Sequence, residues 1–182
     1  MRHFDRERLL VELVSDAGDP IGTDTVGQVH RPPGQLHRAF SVMLYDEAGR
    51  VLLQRRAAGK TRFASRWSNA CCGHPAPGEQ LAAAATDRLA AELGLAAPLT
   101  EVGVYAYRAD DPVTGLVERE WDHVLVGRVR GDTVFAPDPA EVSEYAWVAP
   151  ATLDAALAAN PDAYTPWLPG VLRTAAASRL TG

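Results

Sequence analysis

Three histidines and two glutamates stand at spacings that suit a bound metal ion. His30 and His37 flank RPPGQL, so they cannot share one helix, but a compact turn could bring them together. His74 follows Cys72 by two positions in NACCGH; if that stretch is extended, Cys72 and His74 point to one side and Cys71 to the other. Glu118 and Glu120, in VERE, share a strand face for the same reason. Three imidazoles and two carboxylates suit Mg2+ or a divalent transition metal in five- or six-coordination. They are too many for a closed tetrahedral zinc site. His3 lies near the terminus and His123 has no matching partner, so neither belongs to the set.

A second constellation lies in SNACCGHPAPGEQLAAAATDRLAAELGL, Ser68 to Leu95. The pattern predicts a helix from about Glu79 to Leu93, with Leu81, Leu89 and Leu93 facing the core and Gly94 ending it. Arg88 and Glu92 are four apart and share another face, with Ala85 one turn earlier. Alone, such a pair is a surface ion pair worth under ~1 kcal/mol. In context, Gly73, Glu79, Leu89, Glu92, Gly94 and Leu95 fall at G-x5-E-x9-U-x2-E-x-G-U, where U is aliphatic. This resembles the Nudix box, a loop–helix–loop that handles diphosphates through magnesium. A full box has Arg-Glu at Asp87-Arg88 and Glu-Glu at Ala91-Glu92. Hydrolysis needs water activated by clustered carboxylates and metal ions. Losing two acids leaves a helix suited to holding a diphosphate and ill suited to cleaving it.

The elements that must position these residues alternate between strand and helix without a regular βαβ repeat. RLLVELV (8–14) reads as a first strand closed by SDAGDP, and AFSVMLY and RVLLQRR as a hairpin around DEAG. LTEVGVYAYRA and LVEREWDHVLVGRVR read as strands joined by DDPVTG, and EYAWVA as a short strand. PATLDAALAAN reads as a helix, and TPWLPGVLRTAAASRL as a last helix interrupted near Pro169. A mixed sheet flanked by helices, an α+β fold, accommodates them.

The ordered signals resemble the type I isopentenyl-diphosphate isomerases, a branch of the Nudix superfamily. They are H-x6-H (His30, His37), RR-x3-K (Arg55, Arg56, Lys60), W-x-N-x2-CGHP (Trp67 to Pro75), the degenerate box, YRA-D from Tyr107, E-x-E (Glu118, Glu120) and PW (Pro166, Trp167). The resemblance implies a Nudix-type mixed β-sheet sandwiched between helices. It implies one domain over 1–182: a core at 35–169, an N-terminal extension at 1–34 and a C-terminal helix at 170–182. The family's reaction moves a double bond between isopentenyl and dimethylallyl diphosphate, with one acid/base on each face of the substrate. Cys72 and Glu120 are implied for those roles, with Tyr107 assisting. Trp167 is implied as the aromatic face for the carbocation, and Trp67 as a further candidate for the pocket wall. Arg56, Lys60 and Arg88 are implied as diphosphate ligands. Mg2+ is implied on Glu92 and the Cys72 backbone carbonyl. A second divalent ion (Mn2+, Mg2+ or Zn2+) is implied at His30, His37, His74, Glu118 and Glu120.

Composition is compatible with this reading. Net charge is −5, which disfavours a nucleic-acid binder. No apolar run is long enough to span a bilayer. Two adjacent cysteines are no disulfide framework, so both read as reduced thiols in a cytoplasmic protein, with Cys71 a small packed hydrophobe. Lys60 is the only lysine among 18 basic residues. No long apolar stripe calls for a partner subunit, so a monomer acting on a small diphosphate is expected. Two other readings compete: a Nudix hydrolase, against which Arg88 and Ala91 speak, and a non-catalytic diphosphate-binding module, which would need no thiol opposite a carboxylate.

Overall fold

The computed structural model describes residues 6–179, so His3 lies outside the described residues. Its strands are β1 (Leu10–Val14), β2 (Pro20–Thr25), β3 (His37–Tyr45), β4 (Val51–Arg56), β5 (Trp67–Ser68), β6 (Cys71–Gly73), β7 (Leu99–Asp110), β8 (Val117–Arg128) and β9 (Val142–Val148). Its helices are α1 (Val26–Val29), α2 (Leu81–Leu93), α3 (Pro150–Ala159) and α4 (Leu168–Arg179). β3 organises the sheet: it runs parallel to β8 from His37↔Glu120 to Tyr45↔Arg128, and antiparallel to β6 at Ser41↔Cys72. The expected β3–β4 hairpin keeps only its base pair, Tyr45↔Val51, because β4 turns away to pair with β9.

Alternation along β3 divides the molecule into two apolar layers. Phe40, Val42 and Leu44 pack with Ala85, Leu89 and Leu93 of α2. Met43 and Tyr45 pack with Leu168, Val171 and Ala175 of α4 and Leu153 of α3. The sheet is therefore sandwiched between helices, as the sequence implied. His37, Ser41 and Met43 share the face toward α4, and strand register adds Cys72, Glu120 and Tyr107 to it.

Three sequence readings need correction. PIGTDT, left unassigned, is β2, paired along β1. The first strand begins at Leu10 rather than at 8, because residues 6–8 form a 3-10 turn. The last helix begins at Leu168, so Pro169 lies in its first turn, where a missing N–H costs nothing, and does not interrupt it. α2 starts two residues later than expected and ends where expected, at Gly94 with φ 64°. A Cβ on Gly94 would lie 2.8 Å from the Cβ of Ala136, so the glycine also lets the β8–β9 loop press against the end of α2.

Candidate active site

The predicted metal set converges. One ligand atom each from His30, His37, His74, Glu118 and Glu120 lies within 4.8 Å of all the others. The turn after α1 makes this possible. The Gln35 N–H donates to the Val29 carbonyl and the Val117 N–H to the His30 carbonyl, closing the RPPGQL loop against β8. The three rings sit with centroids 4.8, 4.9 and 5.3 Å apart.

Main-chain carbonyls orient two of these rings. His30 Nδ1 donates to the Val26 carbonyl at 2.7 Å, and His37 Nδ1 to the Gln35 carbonyl at 2.8 Å. A proton held on Nδ1 by each carbonyl leaves Nε2 of both rings facing the cluster. His30 Nε2 meets Glu118 Oε2 at 2.7 Å and His74 Nε2 meets Glu120 Oε1 at 2.9 Å. His37 Nε2 is buried with no hydrogen-bond partner, and Glu120 Oε1 lies 3.7 Å from it. A buried ring of acceptors with one nitrogen orphaned is the donor set of a divalent cation, and these residues fit one.

Burial opposes charge throughout the cluster, and neighbours decide the outcome. For Glu120, burial works to raise the pKa, but the neighbouring His37 and His74 imidazoles outweigh it and hold the carboxyl well below the usual carboxylate range. Glu118 is lowered in the same way by His30 and Arg62. Burial pushes His74 down to about 4. Burial and the Glu120 charge push Tyr107 up, so its hydroxyl keeps the proton it donates to Glu120 Oε2 at 2.6 Å.

The thiol stands on the opposite flank of β3 from Glu120. Cys72 and Cys71 point to opposite faces as expected: Cys71 is fully buried against α2, and Cys72 faces the α4 side. The Cys72 Sγ lies 3.3 Å from Asn69 Oδ1 and 3.5 Å from Ser41 Oγ, and Ser41 donates to Asp122 Oδ2 at 2.7 Å. Burial, then the Asp122 charge, raises the thiol to about 12. The Asn69 amide is locked, because its Nδ2 donates to the carbonyls of Val42 (3.2 Å) and Cys71 (2.8 Å). Its Oδ1 also accepts the indole N–H of Trp167 at 3.2 Å. One amide oxygen thus orients both the thiol and the indole.

Trp167 is buried, 5.8 Å from the Tyr107 ring, with the Arg56 guanidinium carbon 5.6 Å from its centroid. Trp67 does not line the cavity: it packs in the α4-side core and forms a bridge to Tyr164. The cavity itself measures about 1150 Å³ and takes in Cys72, Glu120, Tyr107 and Trp167 together with Arg56, Lys60 and Arg88.

The cationic end of the cavity is a network. The Arg88–Glu92 pair forms across one turn of α2, and the Arg88 Nε also approaches the Cys72 carbonyl at 3.4 Å. Gly73 makes room, since a Cβ there would lie 3.4 Å from Arg88 Cγ and 2.7 Å from the Phe40 ring. Lys60 contacts Glu141 and lies 3.9 Å from Glu92 Oε1. Glu92 is buried beneath Arg88 and Lys60, where Gln54 Nε2 donates to its Oε2 at 3.0 Å. Arg56 is committed at its rim, donating to the carbonyls of Phe63 (3.1 Å) and Arg62 (2.8 Å).

Sequence reading missed five residues here: Ser41, Arg62, Asn69, Asp122 and Glu141. Ser41 and Asp122 were within reach, because they follow His37 and Glu120 at even spacing on the same strand faces. Asn69 lay inside a quoted motif. Arg62 and Glu141 come from loops, where no periodicity reports direction. His123, left out of the metal set, lies outside it and pairs with Glu101 at 2.6 Å.

Comparison with known proteins agrees with this geometry. The NUDIX domain family matches residues 35–168. The isopentenyl-diphosphate Delta-isomerase of Nocardia farcinica is 62% identical over 92% of this chain and 95% of its own length. That of Streptomyces coelicolor is 47% identical over 97% of this chain and 89% of its own. A crystal structure from Deinococcus radiodurans superposes with a TM-score of 0.73 over 91% of this chain and 98% of that one; at 19% identity it speaks to the fold alone. Among the described residues no helix is long and apolar enough to cross a membrane. The chain belongs to the Nudix superfamily and, within it, to the isopentenyl-diphosphate Delta-isomerases.

Proposed function

We propose that this chain interconverts isopentenyl and dimethylallyl diphosphate by moving protons between two flanks of one cavity. The observation that carries the reading is the placement of a thiol, Cys72, and a phenol–carboxylate pair, Tyr107–Glu120, on strands either side of β3 around the same aromatic-walled space. One flank adds a proton to the terminal alkene carbon, and the π electrons form the new C–H bond. The cation left on the tertiary carbon is stabilised by the face of Trp167. The other flank takes a proton from the carbon on the diphosphate side, and that C–H pair becomes the new double bond. No P–O bond breaks.

The residues divide the work. The thiol, raised to about 12, holds its proton at neutral pH and needs substrate or cation nearby to exchange it. Glu120 is the stronger acid of the two and holds the phenolic hydrogen bond that gives it a proton source. Asn69 keeps the thiol and indole in register, and the buried Trp167 and part-buried Tyr107 rings would help to shield the cation from water. Lys60, Arg88 and Arg56 hold the diphosphate. Mg2+ at Glu92 and the Cys72 carbonyl, with Mn2+, Mg2+ or Zn2+ at the histidine–glutamate cluster, would supply positive charge that neutralises the diphosphate and tunes Glu120.

Chain-wide features complete the reading: one domain over 1–182 with a Nudix core at 35–169, working as a monomer on a small diphosphate, with neither nucleic acid nor membrane as partner. Two free cysteines suit the reducing cytoplasm. The test is Cys72→Ala: substrate affinity should stay within about threefold while turnover falls by about 10³ or more. Retained turnover would remove the thiol from the reaction.

A further inference from the structure

The cations that face the diphosphate already share an anion. Lys60 Nζ and Arg88 Nη2 both contact the same oxygen, Oε2 of Glu141, the latter at 3.0 Å. Arg6 Nη1 holds the other oxygen at 3.2 Å. The Glu141 side chain is only 12% exposed, so these contacts are poorly screened by water. Its position is built in. The Ala136 N–H donates to the Leu93 carbonyl and the Asp138 N–H to the Glu92 carbonyl, both at 2.9 Å, which docks the β8–β9 loop on the end of α2. The Ala57 N–H then donates to the Glu141 carbonyl at 2.9 Å and ties that residue to the loop carrying Lys60. Lys60, Arg88, Glu92 and Glu141 form a set of two cations and two anions with no formal net charge.

We propose that Glu141 is an internal counter-ion of the diphosphate cradle: it occupies Lys60 and Arg88 in the free protein and is displaced by the substrate's phosphoryl oxygens. The inference rests on reading Lys60 and Arg88 as diphosphate ligands. Because both cations meet one carboxylate oxygen, one phosphoryl group can take over that point. A single phosphate only exchanges one anion for another there. A diphosphate makes the same exchange and has a second phosphoryl group left for further contacts. Glu141 therefore weakens every phosphate ligand by the same displacement, and abundant single phosphates fall below useful affinity first. Its return to the cations after turnover also assists release of the product.

The test is calorimetric titration of the full chain with inorganic diphosphate and with orthophosphate, for the wild type and Glu141→Gln, a substitution of nearly equal size. Glu141→Gln should bind both anions about tenfold more tightly, by a similar factor. Its melting temperature should fall without ligand and recover with diphosphate more than that of the wild type, since two part-buried cations are left under-neutralised. A merely structural role cannot raise affinity. Glu141→Asp, which keeps the charge but withdraws it, should show a smaller gain and serves if the glutamine variant folds poorly. Equal or weaker binding in these variants would overturn the counter-ion role. Arg88→Ala separates the two readings: if diphosphate binds the wild type and Arg88→Ala equally well, the cradle assignment itself is wrong, and the inference falls with it.

Discussion

The histidine–glutamate cluster and the diphosphate cradle are both built from buried ionisable groups, and they are balanced in opposite ways. The cluster gathers acceptors: two imidazole lone pairs fixed by main-chain carbonyls, a third imidazole and two carboxylates, with His37 Nε2 left unpartnered. The cradle interleaves Lys60 and Arg88 with Glu92 and Glu141, so each of these four charges has an opposite beside it, while Arg56 meets main-chain carbonyls. On the proposed reading, a cation would satisfy the acceptors of the first site. On the same reading, the second has ion pairs to open before an anion enters. On the proposed assignments, a cradle with its cations already paired and a cluster of acceptors should respond very differently to the two ligands.

The largest contrast should come from the residue that belongs to the cluster and to the chemistry at once. Glu120→Gln keeps the size of the side chain but removes its charge and its proton. Turnover should fall by about 10³, within the range for a general acid–base group, while affinity for diphosphate changes little. A comparable loss in both quantities would show that the two sites are not separable.

Metal should also act on stability. Mn2+ at about a hundred times its Kd should stabilise the chain by about 2.7 kcal/mol, or roughly 5–10 °C in melting temperature for a chain of this size. His37→Ala should abolish most of that shift. Diphosphate alone, which exchanges Glu141 for another anion, should raise the melting temperature much less. A larger shift from metal-free diphosphate than from Mn2+ would reverse the contrast.

The fold was legible where side chains alternate. The faces of β3 and β8, the opposed directions of Cys71 and Cys72, and the α2 stripe all follow from periods of 2 and 3.6 residues. The metal set was legible for the same reason, since four of its five ligands lie on or beside strands in even register. The partners of those residues were less so. Glu141 lies more than 40 residues beyond the helix it serves, in a loop whose course depends on Gly94 admitting Ala136. The hairpin at DEAG was read correctly as a turn, yet the sequence gives no sign that β4 leaves β3 for β9. Pairing over such distances depends on tertiary packing, which local patterns do not encode.

The two thiols sharpen the comparison at alkaline pH. Burial raises both, Cys72 to about 12 and Cys71 well above its ordinary value near 9. In the unfolded chain each thiol ionises near that ordinary value, while the folded chain still holds the proton. The folded state then binds more protons, so the stability is fully present below about pH 9 and is lost as pH rises toward 12, by about 1.4 kcal/mol per pH unit for each thiol. Denaturant melts across that window should show the slope, and Cys72→Ala should reduce it. A flat profile would mean that the thiols are not desolvated as the structure places them.

The smallest effect should come from Cys71, which packs against α2 and takes no part in the site. Cys71→Ala should cost about 1 kcal/mol of stability and leave turnover unchanged in a steady-state assay. A large loss of turnover would move a catalytic role to the wrong thiol.

The central claim is that protons move while the diphosphate stays intact, and one NMR time course tests it. The chain, Mg2+, Mn2+ and isopentenyl diphosphate are followed in D2O by proton and phosphorus spectra. Vinylidene signals should decay, deuterated dimethylallyl signals should grow and the diphosphate doublets should persist. Orthophosphate or a monophosphate ester appearing in place of those methyl signals would contradict that claim and return the protein to the hydrolases whose fold it shares.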